Sequence, residues 1–499
     1  MAEQQTIRLQ QPFKGKVTSA ALSDQPDGTV IDSRDVLPVD CKTSRRRLSV
    51  RPGYSAVDSL SGAAGFAILG NAYDEPGGIQ LFAFTSSNAY KFSSGAWSNV
   101  GSITSSTSRT IHGASYGQWL FIACNAPYKY VDYDSANDGS PDWAVASWTA
   151  TTAGTIPPNC RIVASYGARI ALLADPDTPH VVNFSAVDDP FDWDTSGTTS
   201  GAAVSISIGE AATCGFEHNK NCFVVGTHHG MWIFRGNPKS SNALLEKFSF
   251  VTGPINSSAW CKAADDWTYY IGLNGLYKMP PGCGDPPQEV SRNLIPSSLI
   301  GLDGVNSKAY LVYNERFRGV EIHIQGTNAA SWFYDVDGGG FWPITAPGSG
   351  ILAAFRYGPL DSATASGSLI GTSSGVMRLN NATALGGSDA AYATVLNQLA
   401  EIGHKGQIVK MVPQFSTNTD DNGVVTVAGG STAEEAVTLP AGRKETVTIG
   451  ELQDNNYTWY PKVGGTFAVT KITQASTSAY WALEGASLDV KPAGLERGG

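Results

Sequence analysis

A hairpin pattern recurs along this chain of 499 residues. Each copy has an apolar strand, a turn rich in Gly, Ser, Asn or His, and a second strand in which apolar and polar residues alternate. The copies lie at residues 81–92, 121–131, 169–185, 223–234, 269–279, 319–336 and 368–379. A repeated unit constrains the fold strongly, because each unit must bury its apolar face against its neighbours.

The spacing of the copies predicts a propeller. Matching turn positions at Ala174, Gly226, Gly272 and Gly371 are 52, 46 and 99 residues apart, and the last interval spans two units. A propeller blade is a four-stranded antiparallel unit of about 40 to 50 residues, and about 4 to 8 blades close a ring. We therefore predict an all-β protein with a β-propeller of about seven blades. A stack of β-sandwiches is the alternative, because turn signals occur in both folds.

The two ends of the chain do not show the repeat. Residues 1–60 are polar and rich in turns, and from about residue 385 the chain changes to longer alternating strands, with Asn422-Gly423 resembling a type I′ hairpin turn. We predict an N-terminal arm at 1–60 that belongs to a platform, a propeller at 61–385, and a C-terminal β-sandwich-like platform domain at 386–499. Residues 386–393 are the expected linker.

Composition limits the cellular setting and the chemistry. Hydrophobic residues make up 42% of the chain, enough for sizeable cores, and the net charge is -10. No secretion signal and no run of 18 apolar residues is present, so we expect neither export nor a membrane-spanning segment. The seven cysteines are an odd number without zinc-type spacing, which predicts reduced, buried thiols and synthesis inside a cell.

Two segments carry side chains that bind metals in other proteins. His228 and His229 are adjacent, so they point apart in a strand or tight turn, and we expect them to be turn residues. The segment 132–139 offers acidic and amide oxygens to calcium, but an extra residue breaks the EF-hand order, so a solvated turn is the default and a calcium site stays open. The oxygen donors of that segment are Asp132, Asp134, Asn137 and Asp138.

Enzyme motifs are not found. The chain contains no G-x-S-x-G, P-loop or H-E-x-x-H sequence, and the acid pairs Asp188-Asp189 and Asp265-Asp266 are typical of turns. We predict that the protein is not an enzyme and has no catalytic, cofactor or metal site. Its 12 tryptophans could line a sugar-binding groove, so a carbohydrate-recognising propeller remains an alternative, whereas glycan cleavage would need an acid pair that the sequence does not identify.

A basic segment precedes the first hairpin. Four arginines, Arg45, Arg46, Arg47 and Arg51, lie within residues 44–51 of an acidic chain. Three explanations compete: a nucleic-acid contact, a solvated charged strand edge, and a surface that binds an acidic partner. DNA binding by the whole chain is the least favoured, because only 34 residues are Lys or Arg and no broad basic face is expected.

The stretch "DSRDVLPVDCKTSRRRLSVRPGYSA" (32–56) resembles the N-terminal signature of bacteriophage tail nozzle proteins, the tail tubular protein B-like family. Arg51, Pro52, Gly53 and Tyr54 match its R-P-G-aromatic motif. Further landmarks follow in the same order at 181–193, at 269–279 with 288–296, and at 481–494. The acidic, Gly/Ser-rich loops and uneven turns depart from the family, which leaves the blade count and the oligomeric state open.

The resemblance implies a non-enzymatic structural protein of the virion tail, made in the host cytoplasm. It implies a homo-oligomer, typically a hexameric ring at the distal end of a short tail, that docks on the tail adaptor protein and seats tail fibres or spikes. Viral double-stranded DNA would pass through the bore without sequence-specific binding, which suits an acidic wall because phosphates are repelled. In that setting we predict that Arg45, Arg46, Arg47, Arg51 and Tyr54 form an interface with carboxylates of a neighbouring subunit or the adaptor.

Overall fold

The structure of the chain is a computed structural model. It describes residues 4–9, 14–69, 80–104, 110–123, 127–136, 142–250, 252–282, 284–302, 304–326, 329–348, 350–357, 367–379, 391–454, 456–474, 476 and 479–495.

Five strands precede the first blade in this part of the chain. They are β1 (Gln5–Leu9), β2 (Asp32–Arg34), β3 (Val36–Val39), β4 (Arg46–Val50) and β5 (Tyr54–Asp58), with a short 3-10 helix at Leu22–Asp24. All five complete sheets whose other strands come from far along the chain. Pairing at such distance is not visible in local sequence patterns.

Seven four-stranded antiparallel sheets follow. Blade 1 has β6 (Gly65–Leu69), β7 (Gln80–Phe84), β8 (Asn88–Ser93) and β9 (Ala96–Ser102), and blade 2 has β10 (His112–Tyr116), β11 (Trp119–Ala123), β12 (Lys129–Asp132) and β13 (Ala144–Ser147). Blade 3 has β15 (Ile162–Tyr166), β16 (Arg169–Leu173), β17 (Val181–Phe184) and β19 (Val204–Ser207), flanked by a parallel pair formed by β14 (Ala153–Gly154) and β18 (Asp192–Trp193).

Blade 4 has β20 (Ala212–Asn219), β21 (Cys222–Thr227), β22 (Gly230–Arg235) and β23 (Leu244–Ser249), and blade 5 has β24 (Trp260–Lys262), β25 (Thr268–Gly272), β26 (Gly275–Met279) and β27 (Gln288–Glu289). After helix α1 (Pro296–Leu299), blade 6 has β28 (Ser307–Asn314), β29 (Gly319–Gly326), β30 (Ala330–Asp335) and β31 (Gly340–Pro343). Blade 7 begins with β32 (Ile351–Tyr357), β33 (Gly367–Thr372) and β34 (Gly375–Leu379). The ring closes because β32 packs against β6 of blade 1.

The predicted hairpins coincide with the blades. Each of the seven sequence copies forms the second and third strands of one blade, so the prediction of an all-β propeller is confirmed. These are the strands with the clearest sequence pattern because neighbours cover both of their faces. In blade 4, every residue of β21 is buried, whereas the outermost strand of blade 1, β9, is largely exposed.

Blade 7 takes its fourth strand from the N-terminal segment. Strand β5 pairs with β34, with Tyr54 opposite Leu379 and Asp58 opposite Val376. The predicted arm at 1–60 therefore differs from the structure, in which residues 54–58 belong to the propeller. The physical reason is that β5 has no hairpin partner beside it in sequence, and its partner lies more than 300 residues downstream.

The remaining strands form a two-sheet sandwich. They are β35 (Tyr392–Gln398), β36 (His404–Phe415), β37 (Val424–Gly430), β38 (Lys444–Thr448), β39 (Gly464–Gly465), β40 (Phe467–Thr473) and β41 (Ala482–Leu495), with helices α2 (Ala433–Val437) and α3 (Ile449–Asp454) and a 3-10 turn at Ala441–Arg443. One sheet has the order β3-β4-β41-β36-β39, with β1 also paired to β41, and the other has the order β2-β35-β40-β37-β38. The N-terminal and C-terminal segments thus build one sandwich together.

The predicted type I′ turn at Asn422-Gly423 is wrong. Neither residue has the positive φ that this turn requires, and the strands on either side, β36 and β37, belong to different sheets. Gly423 instead packs closely against helix α3: a Cβ atom there would come within 2.5 Å of Cδ1 of Ile449, so a larger residue requires the Ile449 side chain to shift.

One apolar core crosses the boundary between sandwich and propeller. Val36, Leu488 and Ile472 from the sandwich pack in the same cluster as Phe333 and Trp342 from blade 6. The two domains therefore share buried surface. Within the described residues, no helix is long and apolar enough to cross a membrane.

Candidate functional site

The arginine segment lies at the junction of the two domains. Strand β4 belongs to the sandwich, β5 belongs to blade 7, and Arg51-Pro52-Gly53 connects them. Pro52 cannot donate a backbone hydrogen bond, which suits a connection that leaves one sheet and enters another. The residues predicted as an interface are thus carried by the chain crossing from one domain to the other.

Arg46 joins the sandwich to blade 6. Its Nη1 and Nη2 donate to Oδ1 and Oδ2 of Asp335 at 3.0 and 2.5 Å. The Asp335 side chain is completely buried at the end of β30, and it also accepts from the backbone N–H of Gly338. A bidentate pair of this kind holds both position and orientation.

Arg47 is paired inside the sandwich. The buried guanidinium donates to Asp40, with Nε to Oδ2 at 2.9 Å, and it contacts Glu484 of β41. Burial opposes ionisation of Asp40, but hydrogen bonds from Thr43, Tyr480 and Arg47 outweigh it and lower the pKa of the carboxyl.

Arg51 is the most deeply buried of the four arginines. Its Nη2 and Nε lie 2.7 and 3.0 Å from Oδ1 of Asp35, and the two side chains are 1% and 0% exposed. Asp35 also accepts from the backbone N–H and the hydroxyl of Thr345 at 2.7 and 2.6 Å. Burial opposes ionisation of Asp35, but Arg51 and Thr345 outweigh it and lower the pKa of the carboxyl. Because Thr345 follows blade 6, this network also spans the domain boundary.

Tyr54 belongs to a second buried hydrogen-bond network, which holds the strand that completes blade 7. Its hydroxyl donates to Oε2 of Glu321 at 2.7 Å. Glu321 is fully buried in blade 6 and also accepts from Asn314 at 2.9 Å and from Ser368 of blade 7. Burial opposes its ionisation, but the His323 ring, whose Nε2 lies 3.8 Å from Oε2, and the hydrogen bonds from Asn314 and Ser368 lower the pKa of Glu321. The network ties strand β5 to blades 6 and 7.

We expected these residues to contact carboxylates of another subunit. Instead, Arg46, Arg47 and Arg51 each pair with a carboxylate of the same chain, and Tyr54 donates to Glu321 of the same chain. Arg45 is different, because it is exposed and its side chain has no hydrogen-bond or ion-pair partner among the described residues. An intermolecular role for the segment stays a prediction, and Arg45 is its best-placed member. Asp35 and Asp40 lie within residues 32–56 together with the arginines, so the sequence could have suggested that these residues pair with one another. Asp335 and Glu321 lie far along the chain, and no local pattern connects them to this segment.

A second candidate site is the axial channel of the propeller. The innermost strands of all seven blades line an open cavity of about 430 Å³. Small residues such as Gly113, Ala164 and Gly215 keep the space between the strands. The ionisable groups that line the cavity are His112, Glu217, Lys262 and Arg356, together with Cys261.

The basic groups of the channel have partners within the chain. Lys262 pairs with Asp266 at 2.9 Å, and Arg356 pairs with Glu315. His112 shares a hydrogen bond of 2.8 Å with Ser257, and burial lowers its pKa to about 4, so the ring is neutral at pH 7. Glu217 accepts no hydrogen bond from the described residues; burial raises its pKa, and the nearby Lys262 and Lys220 oppose this rise without cancelling it.

Where the structure describes them, the other sequence candidates make local contacts. His228 and His229 form the turn between β21 and β22, as predicted. Asp132 accepts hydrogen bonds from Gln118, Trp119 and the backbone of Asp134, while Asn137 and Asp138 lie outside the described residues. The acid pairs also serve local contacts: Tyr116 donates to Asp188, Phe191 N–H donates to Asp189, and Lys262 pairs with Asp266 of the turn before β25.

The described cysteines are free and buried, which confirms the prediction for Cys41, Cys160, Cys214, Cys222 and Cys261, while Cys124 and Cys283 lie outside the described residues. Burial raises the pKa of the Cys160 and Cys214 thiols to about 12. In the same part of the chain, no group of three or more His, Cys, Asp or Glu side chains is arranged to hold a metal ion.

Comparison with known proteins gives distant similarity only. No protein-family model matches the chain, and no curated protein sequence matches it significantly. Among solved structures, the extracellular domain assigned to a one-component system of B. thetaiotaomicron is 12% identical, with a TM-score of 0.44 over 75% of this chain and 45% of that one. YCF48 bound to D1 peptide is 10% identical, with a TM-score of 0.39 over 67% of this chain and 99% of that one. This chain thus spans less than half of the first structure, and no function is transferred from either.

Proposed function

We propose that this chain is a structural protein of a bacteriophage virion and forms the distal nozzle of a short tail. The proposal rests on the resemblance of residues 32–56 to nozzle proteins, and one structural observation carries it furthest. The R-P-G-Y motif of that stretch is the connection between the sandwich and the strand that closes the propeller. The motif therefore connects the part that would be the platform to the propeller ring.

The junction is suited to a part that bears mechanical stress. The half-buried pair of Arg46 with Asp335, and the hydrogen bonds by which Thr345 holds Asp35 in its buried pair with Arg51, cross the boundary between sandwich and propeller. Removing one partner of a buried pair costs about 3 to 5 kcal/mol, so the two domains resist separation. A platform docked on the tail adaptor would hold the propeller rigidly while the genome passes.

The dimensions of the axial channel support a bore formed by several copies. The cavity at the axis of one propeller is about 430 Å³, the size of a small-ligand site and far too small for a segment of duplex DNA, whose major groove alone is about 12 Å wide and about 8.5 Å deep. Duplex DNA cannot pass through one propeller, so a nozzle needs copies of the chain arranged around a common axis, and a homohexameric ring is our proposal. The net charge of -10 would keep the wall of that bore from binding phosphates.

Immunogold electron microscopy of virus particles from the source culture tests this function. We expect an antiserum against the folded chain to label the distal tip of a short tail, and the same antiserum absorbed with purified chain to label nothing. Specific label on another part of the particle would reject the nozzle, and no label from an antiserum that binds the native protein would reject the virion assignment. Particles with tip label would then be imaged for a ring with a central bore and for attached fibres or spikes.

The axial channel favours a second candidate function, a propeller that recognises carbohydrate. Its volume lies within the range of about 300 to 1,000 Å³ that is typical of small-ligand sites, and hydroxyl groups of Ser115, Ser165 and Ser257 lie among the lining residues. A glycan array with the purified chain separates the two functions. Selective binding of defined glycans by the isolated chain, with no label on virus particles, would favour the second.

A further inference from the structure

The turn between β3 and β4 and the turn between β28 and β29 form one exposed surface. Lys42 and Arg45 lie in the first turn, which belongs to the sandwich, and both are exposed. Arg316 and Arg318 lie in the second turn, in blade 6, and both are also exposed. The two turns are in contact, because Nη2 of Arg316 donates to the backbone oxygen of Cys41 at 2.5 Å. These four cations from two domains are named the basic tip.

Most carboxylates around the basic tip are already paired with cations. The pairs are Asp337 with Arg318, Glu315 with Arg356, Asp335 with Arg46, and Asp40 and Glu484 with Arg47. Asp420 is exposed and accepts a hydrogen bond from the backbone N–H of Tyr480, but it forms no ion pair with the described residues. It is therefore the carboxylate at this surface that can still offset a cation.

Three cations of the basic tip form no ion pair in the described part of the chain. Lys42 lies over the ring of Tyr480, with Nζ 3.9 Å from the centroid, and Arg316 donates to a carbonyl oxygen. Arg45 has neither kind of contact. Three such cations against the single carboxylate of Asp420 make this surface positive, although the net charge of the chain is -10. A local positive charge of this kind attracts anions.

We propose that the basic tip binds an acidic peptide segment of a partner protein, with Arg45 and Arg316 contacting its carboxylates. Arginine suits this ligand, because its planar fork matches a carboxylate and is weakly hydrated. DNA fits less well, since the cations occupy two turns and do not form a stripe along the molecule. The acidic remainder of the chain would also repel the phosphates of a long duplex.

This surface differs from the interface that the sequence predicted. It keeps Arg45 and adds Lys42 and Arg316, whereas Arg47 and Arg51 are used inside the chain. A peptide bound to it contacts the sandwich and blade 6 together. The proposal does not depend on the role in a virion, because charge alone selects the ligand.

Fluorescence anisotropy with the full chain tests the surface. The probe is a labelled oligoglutamate peptide, and the comparison ligands are an uncharged Gly-Ser peptide of the same length and a short DNA duplex. We expect oligoglutamate to bind saturably at low salt and more weakly as salt is raised, because ions screen exposed charges. Binding of the duplex without oligoglutamate would overturn the proposal and favour phosphate, and equal binding of both peptides, or of neither, would overturn it as well. These outcomes concern the surface alone, whereas label on virus particles tests the nozzle.

A double variant and a matched control locate the site. Arg45→Gln with Arg316→Gln should weaken oligoglutamate binding about tenfold or more, because both proposed contacts are lost. Arg235→Gln with Arg443→Gln removes the same total charge from blade 4 and from the 3-10 turn of the sandwich, and it should bind as the natural chain does. Equal losses in the two double variants would show that only the overall charge matters and would overturn the assignment.

Two measurements cover the case in which loss of the Arg316 contact disturbs folding. Arg45→Glu removes no internal partner, and we expect it to weaken oligoglutamate binding about threefold or more. In the natural chain, bound oligoglutamate should slow hydrogen exchange in the β3–β4 and β28–β29 turns together. Unchanged affinity in Arg45→Glu, or slowed exchange only in other parts of the chain, would place the peptide elsewhere.

Discussion

At the scale of single residues, the arginine segment and Tyr54 depend on carboxylates that are buried yet charged. Asp35, Asp40 and Glu321 all have lowered pKa values, because hydrogen bonds and neighbouring cations outweigh the cost of burial. The same arrangement makes each group costly to alter. A buried charge that loses its partner is left without water to replace it.

Replacing Asp35 by Asn should therefore destabilise the protein strongly. Arg51 would keep its charge in a site that is 1% exposed, and we expect a loss of about 3 to 5 kcal/mol in the free energy of unfolding. Glu246→Gln, which breaks a half-exposed pair with Arg235, should cost no more than about 1 kcal/mol. Denaturant titration of both variants measures the difference, and equal small losses would show that the Arg51 pair does not stabilise the junction.

The lowered pKa values also predict a pH dependence. A carboxyl whose pKa is lower in the folded than in the unfolded chain stabilises the fold above its unfolded pKa, and this contribution is lost as the pH falls through the folded pKa. We expect the free energy of unfolding to decrease below about pH 4, near the ordinary values of Asp and Glu. Denaturant titrations from neutral to acid pH should show a shallower decrease for Glu321→Gln than for the natural chain. If the free energy of unfolding fell equally with pH in both chains, Glu321 would not be a source of the acid sensitivity.

At the scale of elements, strand β5 completes blade 7 and is held by a side chain as well as by its backbone pairs. Tyr54 is partly buried, and its hydroxyl is one of the donors that satisfy Glu321. The strand also pairs with β34 along its length. We therefore expect the ring to unfold cooperatively, because releasing β5 breaks both its backbone pairs with β34 and the hydrogen bond from Tyr54 to Glu321.

Tyr54→Phe should destabilise the closure by about 1 to 3 kcal/mol, because Glu321 loses a donor while the ring remains. Tyr460→Phe is the matched control, since Tyr460 is 66% exposed and its hydroxyl loss should change stability by less than about 0.5 kcal/mol. Hydrogen exchange of β5 and β34 would show the effect locally. Unchanged exchange in these strands would mean that the hydroxyl does not hold the closing strand.

At the scale of the whole molecule, the first 59 residues hold both domains together. They supply β1 to β4 to the sandwich and β5 to the propeller. The apolar core that joins the two domains includes Val36, Leu48 and Val50 from this segment. Neither domain is complete without it.

Deleting residues 1–59 should abolish cooperative folding of the rest of the chain. We expect loss of the near-ultraviolet circular dichroism signal and rapid proteolysis, because sheet edges and core surface become exposed together. The matched control is the full chain cleaved at an introduced protease site at the exposed Ser61, in which the segment is present and should stay bound. A deletion variant with a sharp unfolding transition would show that the propeller folds without its closing strand.

The sequence alone determined the all-β class, the seven hairpins and the change of pattern at both ends, because turns and alternating strands are set by residues that are near one another along the chain. Tertiary structure decided which distant segments pair. Strand β5 finds β34, Arg46 finds Asp335 at a separation of 289 residues, and Tyr54 finds Glu321 at a separation of 267 residues. The lining of the axial cavity likewise becomes visible only when seven separate strands surround one axis, since the balance of charge in a site depends on distances in space.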